Sequence, residues 1–288
     1  MPEPINPRRR DNPSSYFVED SNNDAEMIRL MIQDQLVTAG MGGPLAEQPD
    51  PAALQHILDI GCGPGGWILE TAARYPHMSL MGIDISWRMI EYAQAQAQAQ
   101  RLTDGVQFRV MDATKRLDFS DASFELVNMR FGSSFLLAKD WPTWLHDVLR
   151  VIRPGGILRL VEAGEGVQST SPAHMRLSEM LTCAMYRSGR HFTPGNAGIA
   201  PFLPQLLTRS GYQHVQTKEH TLEYLAGTAG GQNFYQNMMY VFQTGLPFLR
   251  KWDCATQDYD AVYQQAMIEM QQKDFRATWN PVTTWGTK

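Results

Sequence analysis

Apolar and polar positions alternate along the chain in two rhythms. Short apolar runs ending in an acid or a turn read as strands: residues 56–60, 80–84, 106–111, a fourth ending near 129–130, 157–163, 213–221 and 275–286. Between them lie stretches with apolar positions three and four apart, which read as helices. These are 67–75, 87–101, 141–151 and 201–211. Ser86 is placed to cap the second, and Pro142 opens the third near its first turn. Residues Ala93 to Gln100 alternate Ala and Gln in a strand-like manner. Both are good helix formers and no β-branched residue interrupts them, so helix is predicted there. Strands joined by helices imply a parallel, doubly wound α/β sheet. The 275–286 segment reads as a late antiparallel strand, which makes the sheet seven-stranded.

Three further helices lie outside this alternation. Asp24 can cap a helix over 25–39, with Met27, Leu30, Met31 and Leu36 on one side. Pro172–Gly189 reads as an inserted helix. Residues 230–249 and 255–273 form two more before the last strand, the first dense in Phe, Tyr and Met. The expected organisation is a flexible tail over 1–15, a helix and loop over 16–51, and one domain over 52–288. Helical insertions are expected at about 164–198 and 227–273.

The densest chemical signal is His56-Ile-Leu-Asp-Ile-Gly-Cys-Gly-Pro-Gly-Gly-Trp67. It reads as strand, glycine turn, helix. Gly61, Gly63 and Gly66 also fit a dinucleotide-binding fingerprint. A diphosphate at a helix N-terminus wants backbone N–H groups and no nearby anion. Asp59 stands just before the first glycine, where a carboxylate repels a diphosphate and attracts a cation. Asp84, about 20 residues beyond the turn, ends the second strand and can accept both hydroxyls of a ribose. Asp112 ends the third. Acids at three successive strand ends suit an adenosyl cation better than NAD.

These residues carry a resemblance. Asp59-x-Gly61-x-Gly63-x-Gly65, Gly82-Ile-Asp84-Ile85-Ser86, Met111-Asp112-Ala113 and Arg153-Pro-Gly-Gly156 resemble successive motifs of the class I S-adenosylmethionine (SAM)-dependent methyltransferases. Within that class the chain is similar to the small-molecule enzymes of the ubiquinone/menaquinone-biosynthesis type. The likeness is strong over about 50–163 and weaker over 199–221 and 275–287. It implies a Rossmann-like fold, SAM as cofactor and S-adenosylhomocysteine as product. Carried onto this sequence, it implies a cofactor set of Asp59, Gly61, Cys62, Gly63, Asp84, Ile85, Asp112, Ala113, Asn128 and Met129. Met89 is implied to cover the adenine. The fourth strand end, at Asn128, Met129 and Arg130, is implied to face the transferable methyl. A helix preceding the first strand often crosses the cofactor mouth in this family, which brings Tyr16, Arg29 and Gln33 into play.

Composition narrows the acceptor more than it names it. The chain has 288 residues, 43% of them hydrophobic, and a formal net charge of −5. No global positive field favours nucleic acid, and no apolar run approaches the roughly 20 residues of a membrane span. The three cysteines, Cys62, Cys183 and Cys254, are scattered; they suggest neither a disulfide framework nor a metal site. A cytoplasmic protein without metal is expected, acting on a small molecule, with its oligomeric state open. Candidate catalytic groups are His191, Glu162 and Arg130. Candidate acceptor contacts are Tyr16, Arg130, His191, Tyr235 and Met238, in segments whose aromatics and methionines suggest an apolar or aromatic acceptor. Two other readings are an NAD(P)-linked oxidoreductase, which lacks a Tyr-x-x-x-Lys pair here, and a SAM-binding protein without methyl transfer.

Overall fold

The computed structural model describes residues 16–18, 24–195 and 198–288. The expected tail over 1–15 lies outside the described residues. Helices are α1 (Asp24–Gly40), α2 (Gly66–Arg74), α3 (Trp87–Ala99), α4 (Trp141–Val151), α5 (Pro172–Arg187), α6 (Leu203–Arg209), α7 (Ala229–Lys251) and α8 (Tyr259–Glu269). Strands are β1 (His56–Ile60), β2 (Ser79–Asp84), β3 (Val106–Val110), β4 (Phe124–Arg130), β5 (Ile152–Ser169), β6 (Gln213–Glu219), β7 (Leu222–Leu225) and β8 (Arg276–Thr287).

Among the described residues these strands form one sheet in the order β3-β2-β1-β4-β5-β8-β6, with β7 paired to β8. Strands β1 to β5 run parallel. β8 runs antiparallel to β5, β6 and β7. The doubly wound sheet is as the patterning predicts, with β7 as a short addition. Strand order turns back between β1 and β4, and in open α/β sheets the crevice beyond the strand ends at that point is where ligands bind.

The alternating Ala-Gln segment is helical and forms the end of α3, whose Ala93 and Ala97 are buried. Ser86 caps that helix, its Oγ accepting from Met89 N at 3.4 Å. Two elements differ from expectation. The helix expected over 255–273 contracts to α8, with Asp258 as its N-cap. β5 is longer at both ends, starting at Ile152, which pairs with Phe124, and running on to Ser169 because its extension continues to pair with β8 through two register shifts.

Three apolar clusters organise the packing. One lies against α2 and α3, built around Ile57, Trp67, Ile68 and Leu80. A second joins the other sheet face to α4 and α6 through Leu58, Trp141, Leu145 and Leu203. The third binds α1, α5, α7 and α8 into a helical layer beside β5, β7 and β8, with Phe234, Phe242 and Trp279 in it. Here the expectation for the cysteines is overturned. Cys183 on α5 and Cys254, in the link from α7 to α8, are disulfide-bonded across 71 residues. Spacing does not reveal such a pair, because only the packing of the inserted helices brings its halves together. Cys62 is free and buried. Among the described residues no helix is long and apolar enough to cross a membrane, and no cluster of His, Cys, Asp or Glu is fit to hold a metal.

Candidate functional site

The glycine turn does what its sequence demands. Gly61 (φ 68°) and Gly63 (φ 52°) adopt left-handed conformations that side chains rarely tolerate. The turn lets Gly63 N donate to Asp84 Oδ2 at 3.0 Å, while Ser86 N donates to Asp84 Oδ1 at 2.9 Å. The Asp84 carboxylate is therefore fixed at the end of β2, beside the turn. Burial raises its pKa, offset in part by these backbone donors.

A cavity of about 330 Å³ opens here. From the strand ends it is lined by Gly61, Cys62, Gly63, Asp84, Ile85, Met89, Asp112, Ala113, Arg130 and Glu162. From the helical layer come Tyr16, Arg29, Gln33, Asp34, Thr182, His191, Asn237, Met238 and Phe242. Asp112 also closes its own turn, accepting from Thr114 N at 2.9 Å and Thr114 Oγ1 at 2.6 Å.

Four of the sequence candidates do not line this cavity: Asp59, Asn128, Met129 and Tyr235. The register explains the first two. Asp59, Asn128 and Arg159 stand level on β1, β4 and β5. Asn128 Nδ2 donates to Asp59 Oδ1 at 2.7 Å, and Arg159 Nη1 donates to Asn128 Oδ1 at 2.7 Å. Arg159 is paired in turn with Glu47. These side chains form a buried polar row within the fold, and burial pushes the Asp59 carboxyl up to about 7. Met129, 1% exposed, packs into the α4 side of the core. Tyr235 Oη accepts from Gln271 Nε2 at 3.1 Å, on the outer side of α7.

A second carboxylate at the glycine turn is Asp34 of α1, which sequence reading passes over. A Cβ on Gly66 would strike it. Asp34 is ion-paired with Arg130, and Arg130 Nη1 also donates to Thr38 Oγ1 at 3.1 Å. The available signal is the helical spacing of Leu30, Gln33 and Asp34, which puts them on one face. Arg29 is pinned beside them. It donates to Glu26 Oε2 at 2.8 Å and to Tyr16 Oη at 3.0 Å, and Thr244 on α7 donates to Glu26 Oε2 at 3.1 Å. This network ties the segment before α1 to α7 at the cavity mouth.

Glu162, at the point where β5 reaches the cavity, is 2% exposed. It accepts from Ser133 Oγ at 2.6 Å and Ser133 N at 3.1 Å. Burial pushes its carboxyl up to about 7, against the lowering effect of those donors. Burial and the neighbouring Arg190 push His191 down to about 4, and its Nδ1 has no partner among the described residues. His174, in contrast, sits in the core with Nδ1 at 3.1 Å from Ser169 Oγ. Phe131 (φ 57°) stacks on Trp279 at 5.6 Å and 19°, forming a flat wall. Nothing in the local sequence marks Ser133, Phe131 or Trp279, because β4, β5 and β8 are brought together only by the sheet.

Residues 57–156 match the family described as a methyltransferase domain. The demethylmenaquinone methyltransferase of Deinococcus radiodurans is 32% identical over 151 residues, 52% of this chain and 59% of that one. A probable methyltransferase of Aspergillus luteorubrus is 24% identical over 242 residues, 78% of this chain and 81% of that one. The chain spans about half the length of the first curated relatives it matches. In fold it is similar to phospholethanolamine N-methyltransferase 2 of Haemonchus contortus, solved with phosphomonomethylethanolamine and S-adenosylhomocysteine. The TM-score is 0.55 at 18% identity, covering 94% of this chain and 60% of that one. The YcgJ protein of Bacillus subtilis gives a TM-score of 0.53 at 16% identity, covering 91% and 97%. Over residues 57–156, about a third of its length, the chain is similar to the methyltransferase-domain family.

Proposed function

We propose that the protein transfers a methyl group from SAM to O, N or C of a small, apolar or aromatic organic molecule. The observation that carries this reading is Asp84. Its carboxylate is clamped by Gly63 N and Ser86 N at the end of a parallel strand, beside the switch point and on the cavity. A carboxylate so oriented keeps lone pairs for a ribose diol. The glycine turn leaves space into which a Cβ on Gly63 would project, its nearest neighbour being Leu30 at 3.7 Å. That space suits a methionine chain. Ile85, Met89, Asp112 and Ala113 line the adjacent stretch and suit an adenine. Arg130 and Asp34 would meet the charged amino-acid end.

When bound, SAM supplies an electrophilic methyl on a sulfonium. The protein's own task is then to position the acceptor in line, roughly 3–3.5 Å from that carbon. Glu162 is the group proposed to take a proton from a hydroxyl, amine or carbon acid. A carboxyl with a pKa of about 7 is matched to neutral pH. Ser133 holds its orientation. His191, at about 4, is neutral near pH 7 and serves better as a hydrogen-bond partner than as a base. The helices of 16–51, 164–198 and 227–273 form a cap that excludes water and selects the acceptor.

The test is calorimetric titration with S-adenosylhomocysteine and, separately, with NADH. Binding of the former and not the latter supports the reading; the reverse overturns it. Formation of S-adenosylhomocysteine from SAM with a panel of acceptors then tests transfer itself.

A further inference from the structure

The charges around the cavity are unevenly placed. Those on its lining come from α1 and the strand ends, and the two lining cations there are already paired. Arg29 is bonded to Glu26, and Arg130 to Asp34. Among the described residues, the lining contributed by α5, α7 and β8 is uncharged, with Thr182, Met185, Asn237, Met238, Phe242 and Trp279 in it. A phosphorylated acceptor would meet no spare cation there, and an ammonium no carboxylate on those elements. The flat Trp279 ring is fixed, its Nε1 donating to Ala163 O at 2.9 Å and its face stacked on Phe131. Such a wall favours a planar, neutral partner.

Asn237 is the buried amide in this largely apolar lining. It lies on α7, is 1% exposed, and its Oδ1 has no partner among the described residues. Buried polar atoms are nearly always paired, so an unpaired one on a residue that lines a cavity marks a place where a ligand can complete the bond. An amide that has a partner in one ligand and none in its analogue discriminates strongly between them. We propose that the acceptor is an uncharged aromatic ring compound bearing a hydrogen-bond donor, and that Asn237 is the specificity-determining residue that accepts that bond. This deepens the methyltransferase reading and rests on it.

The test uses three probes of one size: 2-naphthol, 2-methoxynaphthalene and 2-naphthyl phosphate. Each is titrated into the full chain saturated with S-adenosylhomocysteine. In the wild type, 2-naphthol is expected to bind about tenfold tighter than its methoxy analogue, with the phosphate weakest. Asn237→Leu should bring the first two within about twofold of each other without changing S-adenosylhomocysteine affinity. Equal binding of naphthol and methoxynaphthalene by the wild type overturns the proposal. So does tightest binding of the phosphate, or an undiminished preference in Asn237→Leu. The wild-type ratios decide the matter even if the variant does not fold. If S-adenosylhomocysteine itself fails to bind, the methyltransferase reading falls instead, and the same ratios measured on the protein alone still judge Asn237.

Discussion

The strand-end side of the cavity and its helical side are held by different kinds of contact. At the strand ends the decisive bonds are to backbone: Gly63 N and Ser86 N to Asp84, and Thr114 N to Asp112. They close over a few residues or between neighbouring strands whose register is fixed. On the helical side the bonds join side chains far apart in sequence. Glu26 meets Thr244, and Cys183 meets Cys254. The first kind leaves little freedom in residue choice. The second can be rebuilt with other side chains on the same scaffold. Cofactor affinity should therefore follow the strand ends, and acceptor turnover the helices, with Glu162 at their junction.

The sharpest separation is expected at that junction. Glu162→Gln should lower turnover by about a hundredfold or more, while S-adenosylhomocysteine affinity stays within about threefold. In the wild type, kcat/KM should rise through about pH 7 as Glu162 ionises, and the variant should lose that limb. Stability moves the opposite way. The folded-state pKa of about 7 lies above the ordinary 4.5, so the protonated form is favoured by folding. Its contribution is full below pH 4.5 and is lost as pH rises through 7, on the order of 3 kcal/mol. Asp59 adds a decline of the same sign. Denaturant melts from pH 4 to 8 should show the fall, less steep in Glu162→Gln. A variant with unchanged turnover removes Glu162 from the chemistry.

Next in size are three changes on the strand-end side. Gly63→Val forces a β-branched residue to φ 52° and directs it into the cavity. Cofactor affinity should drop by about a hundredfold or more. Near-native titration would mean the turn is only a turn. Asp84→Ala removes an acceptor held by two backbone donors, and should weaken binding by about ten- to hundredfold. Asp112→Ala should cost less, because a single neutral hydrogen bond is at stake. Equal losses at both positions would undo the assignment of Asp84 to the ribose.

How far the sequence speaks follows the same division. Strand–turn–helix order, the glycine turn and the acids at strand ends are local patterns, and the sheet and the Asp84 corner can be read from them. Asp59 misleads because a strand residue near a glycine turn can point to either face; β4 and β5 present Asn128 and Arg159 beside it and draw it inward. Asp34 is missed because its importance depends on how α1 lies across Gly66. Tyr235 belongs to an aromatic stripe that covers more than one face of α7, and periodicity alone does not say which face meets the cavity. His191→Ala, which alters the lining, should therefore lower turnover by about fivefold to tenfold. Tyr235→Ala should leave both turnover and cofactor affinity within about twofold. If Tyr235→Ala proves the more damaging in a parallel single-turnover assay, the face of α7 assigned to the cavity is wrong.

The smallest effect on the cofactor is expected from the disulfide. Cys183 lies on α5 next to Thr182 and two residues before Met185, both on the cavity wall. Cys254 anchors the far end of α7. Their bond ties the two helical insertions to each other and touches no strand that holds Asp84. Closing a loop over a separation of 71 residues is worth about 4 kcal/mol. Cys183→Ser, or reduction with dithiothreitol, should lower the melting temperature and raise the acceptor KM, because the apolar wall loses a brace. S-adenosylhomocysteine affinity should move by less than about twofold, since its proposed contacts are fixed by backbone donors in strands remote from the bond. Titration and melting on oxidised and reduced protein side by side give the answer. A tenfold loss of cofactor affinity on reduction would show that the helices help build the cofactor site, and the two sides of the cavity would then have to be treated as one unit.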